Sequence, residues 1–145
     1  MAKRKTPSEH KLFSVGAHQA LAVGKDVVIL RWASLPKRGE FDRMHEKILE
    51  ITGARTLVAD IGQAKGLYSG LSPLIAAKMV RWLLGMMRRG LRGVAMVTSH
   101  SADRKRLTLG EWMFPNQIRL FRSLAPALLW ALSKKKRVKQ ASRPL

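Results

Sequence analysis

The run TSHSAD, residues 98–103, is the densest group of side chains in this sequence that could take part in catalysis. Hydroxyl groups, a histidine and a carboxylate follow an apolar run there, and the carboxyl end of a strand is a usual place for ligands in α/β proteins. Adjacent side chains diverge, however, so the run alone is not a catalytic triad. Ser101 as a helix N-cap and Asp103 in the first helical turn account for both residues. We therefore expect a protein that is not an enzyme.

The run GLYSGLSP, residues 66–73, joins a strand-like run to a helix-like run and holds a serine between glycines. A nucleophile elbow needs G-x-S-x-G, and here the serine stands one place late. A phosphate-binding loop needs four residues between two glycines and then Lys with Ser or Thr, which this run does not supply. The run instead predicts a structural turn: Gly66 and Gly70 let the chain leave the strand, Ser72 caps the next helix, and Pro73 is its first residue.

Asp60 lies inside the apolar run LVADIG, where a lone carboxylate is costly unless it is hydrogen-bonded. We expect it to accept hydrogen bonds from backbone N–H groups of the loop between Gly62 and Gly70 and to fix the shape of that loop. The four histidines include no pair at the spacing of a helical metal site, and the chain has no cysteine. Neither a metal nor another cofactor is expected.

The hydrophobic pattern predicts one domain, residues 12–132, between basic disordered tails at 1–11 and 133–145. Residues 12–33 contain two strand-like runs around Gly-Lys-Asp, a sequence that suits a hairpin turn. Helix and strand patterns then alternate, and the first helix is expected to end at Gly53. This order predicts an α/β fold: an N-terminal β-hairpin followed by alternating α/β units, with a mixed, mostly parallel sheet of about five strands and helices packed on it.

The second predicted helix, from about Ser72 to Gly90, is apolar around most of its circumference. Its cations fall within a stripe about 100° wide, and apolar side chains occupy nearly all the rest. One interpretation is a helix sunk between the sheet and a neighbouring helix. The other is that part of this surface contacts a second protein chain. The residues expected at such a partner interface are Met79, Trp82, Leu83, Met86 and Met87.

The charge of the chain points to an anionic partner. There are 28 Lys and Arg against 9 Asp and Glu, a net charge of +19, and the predicted domain is itself basic. Such a protein attracts nucleic acid, anionic lipid headgroups or an acidic protein, and DRKR with nearby Trp112 would suit phosphate contacts beside a stacking residue. The residues expected to contact a polyanion are Lys78, Arg81, Arg88, Arg89, Arg92, Arg104, Lys105, Arg106, Lys134, Lys135, Lys136 and Arg137.

The longest apolar runs are interrupted by arginine or glycine, and the first residues contain no apolar segment. Neither a membrane-spanning helix nor a secretory signal is therefore expected. The sequence predicts a cytoplasmic protein. The run KKKRVK near the C-terminus is similar to a nuclear import signal, so a nuclear location is the alternative for a eukaryotic or viral source.

The runs RGVAMVTS and IRLFRSLAPALLWAL, with a short helix between them, resemble a known family when taken with the element order. That family is the STAS-like family related to the bacterial anti-sigma-factor antagonists, in its SpoIIAA-like branch, which shares a superfamily with the lipid-binding SEC14 domains. Over residues 11–132 the resemblance implies a STAS-like fold and a regulatory role. Family members carry DSSG after this strand, and a partner kinase phosphorylates a serine there. The run YSGL matches it at Ser69 and Gly70, which makes Ser69 a candidate phosphorylation site.

The sequence thus predicts a non-enzymatic STAS-like regulatory or scaffold domain. It is expected to bind a protein partner, or a second copy of itself, through the second helix and the 66–73 loop. Two alternatives stay open: a nucleic-acid-binding accessory protein that uses basic tails and arginine-rich helices, and a peripheral protein that binds anionic lipid.

Overall fold

A computed structural model describes residues 9–37, 39–51 and 55–141, the last eight of them by their backbone only. Six strands form one sheet, and four helices follow from the third strand onward. In chain order the elements are β1 (Glu9–Val15), β2 (His18–Val23), β3 (Val27–Arg31), α1 (Glu40–Ile51), β4 (Thr56–Asp60), α2 (Pro73–Arg88), β5 (Gly93–Val97), α3 (Ser101–Met113), β6 (Ile118–Phe121) and α4 (Leu124–Ala141).

The sheet has the strands in chain order, from β1 at one edge to β6 at the other. Strands β1, β2 and β3 pair antiparallel, whereas β3, β4, β5 and β6 pair parallel. This confirms the α/β class and the mixed, mostly parallel sheet. The hairpin predicted at Gly-Lys-Asp joins β2 to β3, and Gly24 has a φ of 63°, in the left-handed region that glycine adopts without strain.

The sheet has six strands, not the five predicted. The chain also turns at Gly16, which has a φ of 59° and precedes the Gly24 turn. The first predicted strand is therefore two strands, β1 and β2. Strand β1 lies at the sheet edge and begins Glu9-His10-Lys11, with these side chains exposed, so it lacks the apolar content of a buried strand. Sequence pattern therefore assigned its start to a tail.

The regular structure extends beyond residues 12–132 at both ends. Strand β1 begins at Glu9, and helix α4 continues to Ala141, through a segment rich in Lys, Arg and Gln, which are good helix formers. The remaining residues predicted as tails, 1–8 and 142–145, lie outside the described part of the chain, as does Gly53. Among the described helices, none is long and apolar enough to cross a membrane.

Each face of the sheet carries its own core. Helices α1, α2 and α3 cover one face, where Leu30, Leu57 and Met96 point toward them. Helix α4 covers the other face, and its residues Ala127 and Ala131 pack on strand residues of the opposite parity. Because consecutive parallel strands are joined by right-handed crossovers in one direction, α1, α2 and α3 all lie on the same face of the sheet.

A cluster of aromatic rings fastens α1 and α2 to the end of β3. The ring of His45 stacks on Trp82 with centroids 4.5 Å apart and planes 4° from parallel, and Trp32 and Phe41 pack around it. The Nδ1 atom of His45 donates to the carbonyl of Phe41 at 2.8 Å. Burial lowers the pKa of His45 to about 4, although this hydrogen bond and the charge of Asp42 act in the opposite direction.

This buried histidine predicts a pH dependence of stability. The unfolded chain protonates His45 near its ordinary pKa of 6.5, whereas the folded chain does so near 4, so between these values the unfolded state binds more protons. We expect the contribution of His45 to the free energy of unfolding to be constant above pH 6.5 and to fall by on the order of 3 kcal/mol as the pH drops to 4. Urea unfolding at several pH values measures it.

His45→Phe should flatten the dependence in this window, whereas His10→Gln, at an exposed position of β1, should leave the wild-type slope. Equal slopes for wild type and His45→Phe between pH 6.5 and 4 would contradict the assignment.

Candidate functional site

The loop between β4 and α2 is held by a carboxylate that comes from α3. Asp103 is fully buried, and its side chain accepts hydrogen bonds from the backbone N–H groups of Gly66 at 2.7 Å, Tyr68 at 3.1 Å and Ser69 at 2.8 Å. The Nδ1 atom of His100 lies 3.1 Å from the same carboxylate. We call this arrangement the Asp103 clamp. It ties residues 66–69 to the start of α3.

The clamp also explains the protonation state of Asp103. Burial would raise the pKa of the carboxyl, but hydrogen bonds from the backbone of Ser69 and Gly66, from the Ser69 hydroxyl, and the nearby His100 together hold it below its ordinary value. The donors fill the roughly four lone-pair positions of the carboxylate. It therefore has no lone pair left to act as a general base.

These contacts change three predictions. Ser101 is not the N-cap of α3, because His100 occupies that position and its side chain makes no capping hydrogen bond. Asp103 is not merely a helix-terminal charge but the anchor of a loop more than thirty residues away in sequence. The role predicted for Asp60 is much smaller, since it accepts from the N–H of Gly62 at 3.1 Å and lies 3.9 Å from the Arg31 guanidinium.

The local predictions for the 66–73 loop are confirmed. Ser72 is the N-cap of α2, with its hydroxyl accepting from the N–H of Ile75 at 3.3 Å, and Pro73 is the first helical residue. Gly66 has a φ of 90°, and a Cβ at Gly70 would lie 2.9 Å from the Gly66 carbonyl. Ser69, the candidate phosphorylation site, is half-buried with its hydroxyl turned to Asp103. A phosphoryl group there would face a buried carboxylate, so the clamp would have to open.

The apolar side chains predicted to form a partner interface are turned to the core instead. Leu83 and Met86 are buried, and Met79, Trp82 and Met87 are half-buried against the same core. The first interpretation of this helix, as one packed between the sheet and a neighbour, therefore describes these five residues. The exposed α2 side chains belong to another face of the helix, which includes the predicted cationic residues Lys78, Arg81 and Arg88.

An apolar cavity of about 230 Å³ lies between α2, α3 and the sheet. Its floor is formed by strand residues such as Leu30, Leu57 and Met96, and its walls by Leu83 of α2 and Leu107 of α3. Only four of its lining side chains carry polar atoms: His45, Tyr68, Trp82 and Arg106. The cavity is open to solvent on one side, where the exposed Leu109 and Met113 line it, and no sequence pattern indicated its presence.

Two residues place polar groups at the cavity. Tyr68 lies in the clamped loop, and burial, with the Asp103 charge, raises the pKa of its phenol, which therefore stays neutral. Arg106 is exposed on α3, and its guanidinium donates to the Leu71 carbonyl at 3.3 Å. The side chain thus reaches from α3 to the loop that leads into α2, and it leaves a cation at the edge of an apolar space.

The predicted polyanion-binding residues do not share one environment. Lys78 pairs with Asp42, Arg92 with Asp26, Arg89 donates to the Leu49 carbonyl, and Arg104 donates to the Thr98 carbonyl. The exposed members on α2 and α3 are Lys78, Arg81, Arg88, Lys105 and Arg106. Side chains of Lys134, Lys135, Lys136 and Arg137 lie outside the described part of the structure. Among the described side chains, no cluster of His, Asp and Glu could hold a metal ion.

The Asp103 clamp predicts a large and local loss of stability when its charge is removed. Asp103→Asn keeps the size of the side chain but leaves buried N–H donors poorly paired, so we expect the free energy of unfolding to fall by about 3 kcal/mol. Hydrogen exchange of the Gly66, Tyr68 and Ser69 amides should accelerate relative to the sheet amides.

Asp42→Asn is the matched control, because it breaks an exposed ion pair and should cost no more than about 0.5 kcal/mol. If both substitutions cost the same, the clamp does not hold the loop.

Comparison of the chain with models of protein families, with curated proteins and with solved structures found no match. The relationship to the STAS-like family therefore stays a prediction. What this protein binds has to follow from its cavity, its exposed side chains and its charge.

Proposed function

We propose that this protein is a non-enzymatic binding domain whose cavity between α2, α3 and the sheet takes the apolar part of an anionic amphiphile, such as a fatty acid. The observation that carries the proposal is the cavity of about 230 Å³ with its almost entirely apolar lining. Ligand sites in proteins are typically concave and apolar with a few polar groups that orient the ligand. His45, Tyr68 and Arg106 are such groups here.

The apolar lining favours a hydrocarbon over water as the occupant. An apolar cavity offers water too few hydrogen-bond partners, and an engineered cavity of about 150 Å³ in another protein stays dry and accepts benzene. The cavity here is larger, and its lining includes Met79, Met86, Met96 and Met113, whose flexible side chains adapt to different ligand shapes. Transfer of a hydrocarbon chain into this space removes its surface from water.

The charge around the cavity favours an anionic head group. Arg106 lies at its edge, and Arg81 and Lys105 are exposed on the two helices beside it. Helix α2 contains no Asp or Glu, and the two acids of α3 are engaged: Asp103 in the clamp and Glu111 with the N–H of Leu120. A carboxylate or phosphate at the edge of the cavity would therefore meet cations only.

The same cavity supports the regulatory role that the STAS-like resemblance implies. Tyr68 and Leu71 belong to the 66–73 loop and also line the cavity. A ligand that contacts them would bias the position of the loop and hence the surface offered to a protein partner. The second helix and the 66–73 loop would then bind the protein partner, and binding of the amphiphile would regulate that contact.

A displacement titration tests the proposal. The anionic apolar probe anilinonaphthalene sulfonate should gain fluorescence when it binds. Unbranched fatty acids, tested over a range of 8 to 18 carbons, should displace it. Ala76→Phe places a ring into the cavity wall and should weaken fatty-acid binding by at least about tenfold. Arg106→Ala should weaken binding of the acid by about threefold to tenfold but leave binding of the matching fatty alcohol unchanged.

The chain supplies a control for each variant. Ala77→Phe changes the next residue of α2, which is exposed and does not line the cavity, and Lys25→Ala removes an exposed cation in the β2–β3 turn, which also does not line it. Both should bind like wild type. If no fatty acid displaces the probe, or if Ala76→Phe and Ala77→Phe behave alike, the cavity is not a ligand site.

A further inference from the structure

Large apolar side chains are exposed on α2 and α3, some on the side away from the sheet and some around the opening of the cavity, which Val80, Leu109 and Met113 line. Trp112 is 82% exposed, Leu74 78%, Leu109 59% and Met113 58%, and Val80 and Leu84 are also exposed. The sequence pattern placed Val80 and Leu84 in the apolar part of the second helix but did not predict that any of these six is exposed. We call these residues, with the cations between them, the outer face.

The spacing places several of these residues on one side of each helix. On α2, Ala77, Arg81, Leu84 and Arg88 recur at intervals of four, three and four, so they line one side of the helix. On α3, Ala102, Lys105, Leu109 and Trp112 do the same. Both helices cover the same face of the sheet with the cavity between them, so these two lines of apolar and cationic side chains lie on either side of the cavity opening.

The charge of the outer face selects the kind of partner. Its exposed cations are Arg81, Arg88, Lys105 and Arg106, and α2 and α3 add no exposed carboxylate to it. A second copy of this chain, with a net charge of +19, would bring like charges together. Nucleic acid would pair with the cations, but it would leave Leu74, Leu109 and Met113 without an apolar partner.

An anionic bilayer offers a partner to both the apolar and the cationic side chains of the outer face. Tryptophan and aliphatic side chains bury their apolar parts at the boundary between headgroups and acyl chains, while Lys and Arg stay among the anionic headgroups. We propose that the outer face of α2 and α3 docks on membranes that contain anionic lipid, with Leu109, Trp112 and Met113 inserted at headgroup depth. This attachment is peripheral, and it is a proposal separate from ligand binding, although Leu109 and Met113 also line the cavity.

Vesicle sedimentation of the full-length protein tests the proposal. At 0.1 M salt the protein should sediment with vesicles of 70% phosphatidylcholine and 30% phosphatidylglycerol and not with pure phosphatidylcholine. The double variant Leu109→Ser with Met113→Ser should weaken binding by at least about tenfold. Arg81→Glu should weaken it by at least about fivefold, since one cation near an anionic surface is worth about that factor.

Matched controls lie on the other side of the molecule. Leu129→Ser removes a leucine that is 70% exposed on α4, which packs on the opposite face of the sheet. Lys25→Glu, in the β2–β3 turn, changes the net charge by the same amount as Arg81→Glu. Both should bind vesicles nearly as wild type does. Bromine-labelled lipids should quench tryptophan fluorescence, and Trp112→Phe should remove that quenching.

Three results would overturn the proposal. One is failure to sediment with the anionic vesicles. Another is equal binding by the Leu109/Met113 double variant and Leu129→Ser, which would indicate attachment through other cations, such as Lys134–Arg137. The third concerns a 20-nucleotide single-stranded DNA. If it displaces the wild type from vesicles and binds the wild type and the double variant equally well, the surface is a general polyanion site. Ala76→Phe, designed to fill the cavity, should bind vesicles normally, so this proposal and the cavity proposal fail independently.

Discussion

The carboxylate of Asp103 is the interaction on which this face of the molecule depends. It is fully buried, and a buried charge is tolerated only where hydrogen bonds replace the water that it has lost. The backbone of Gly66, Tyr68 and Ser69 supplies those bonds, and the loop in turn needs an acceptor for N–H groups that no strand or helix pairs. The loop and the start of α3 therefore satisfy each other. Through this contact Tyr68 and Leu71 come to line the cavity.

The position of the cavity follows from how α2 is fastened. Along its α1 side, Trp82 stacks on His45, Lys78 pairs with Asp42, and Arg89 donates to the Leu49 carbonyl. Along its α3 side, the described hydrogen bonds consist of the Arg106 contact with Leu71, which reaches the loop before the helix rather than the helix itself. A helix held firmly along one edge leaves space along the other, and the sheet beneath that space offers only apolar side chains. The cavity is a consequence of this asymmetry.

The sequence predicts well what neighbouring residues decide and poorly what distant residues decide. Ser72 and Pro73 were identified because an N-cap and its helix lie within four residues of each other. The clamp was not, because the partners of Asp103 lie 34 to 37 residues away, and nothing in the composition of SHSAD distinguishes a loop anchor from a helix-capping group. The extent of β1 was misjudged for a related reason, since an edge strand is recognised by its pairing with β2 rather than by its own pattern.

The same limit applies to the helices that carry the candidate site. The amphipathic pattern of α2 indicates that one stripe is apolar, but the orientation of that stripe depends on what packs around it. Met79, Trp82 and Met86 face the core, and the side chains left outside are Leu74, Val80 and Leu84. In α3 the exposed Leu109, Trp112 and Met113 have the i, i+3, i+4 spacing of a core-facing stripe, so the pattern alone does not show that they are exposed. A surface formed by two helices together cannot be recognised from the sequence pattern of either helix alone.

The basic character of the outer face has a physical origin within the fold, beyond the excess of Lys and Arg. The chain has nine acidic residues, and the fold uses most of those that lie near the sheet and α3 for internal contacts. Asp26 binds Arg92, Asp60 contacts Gly62 and Arg31, Glu40 binds His18, Asp103 holds the loop, and Glu111 accepts from Leu120. Carboxylates committed in this way neutralise nothing on the surface. Within the described part of the chain, Arg81, Lys105 and Arg106 consequently face a partner without an ion pair, and Arg106 lies at the opening of the apolar cavity.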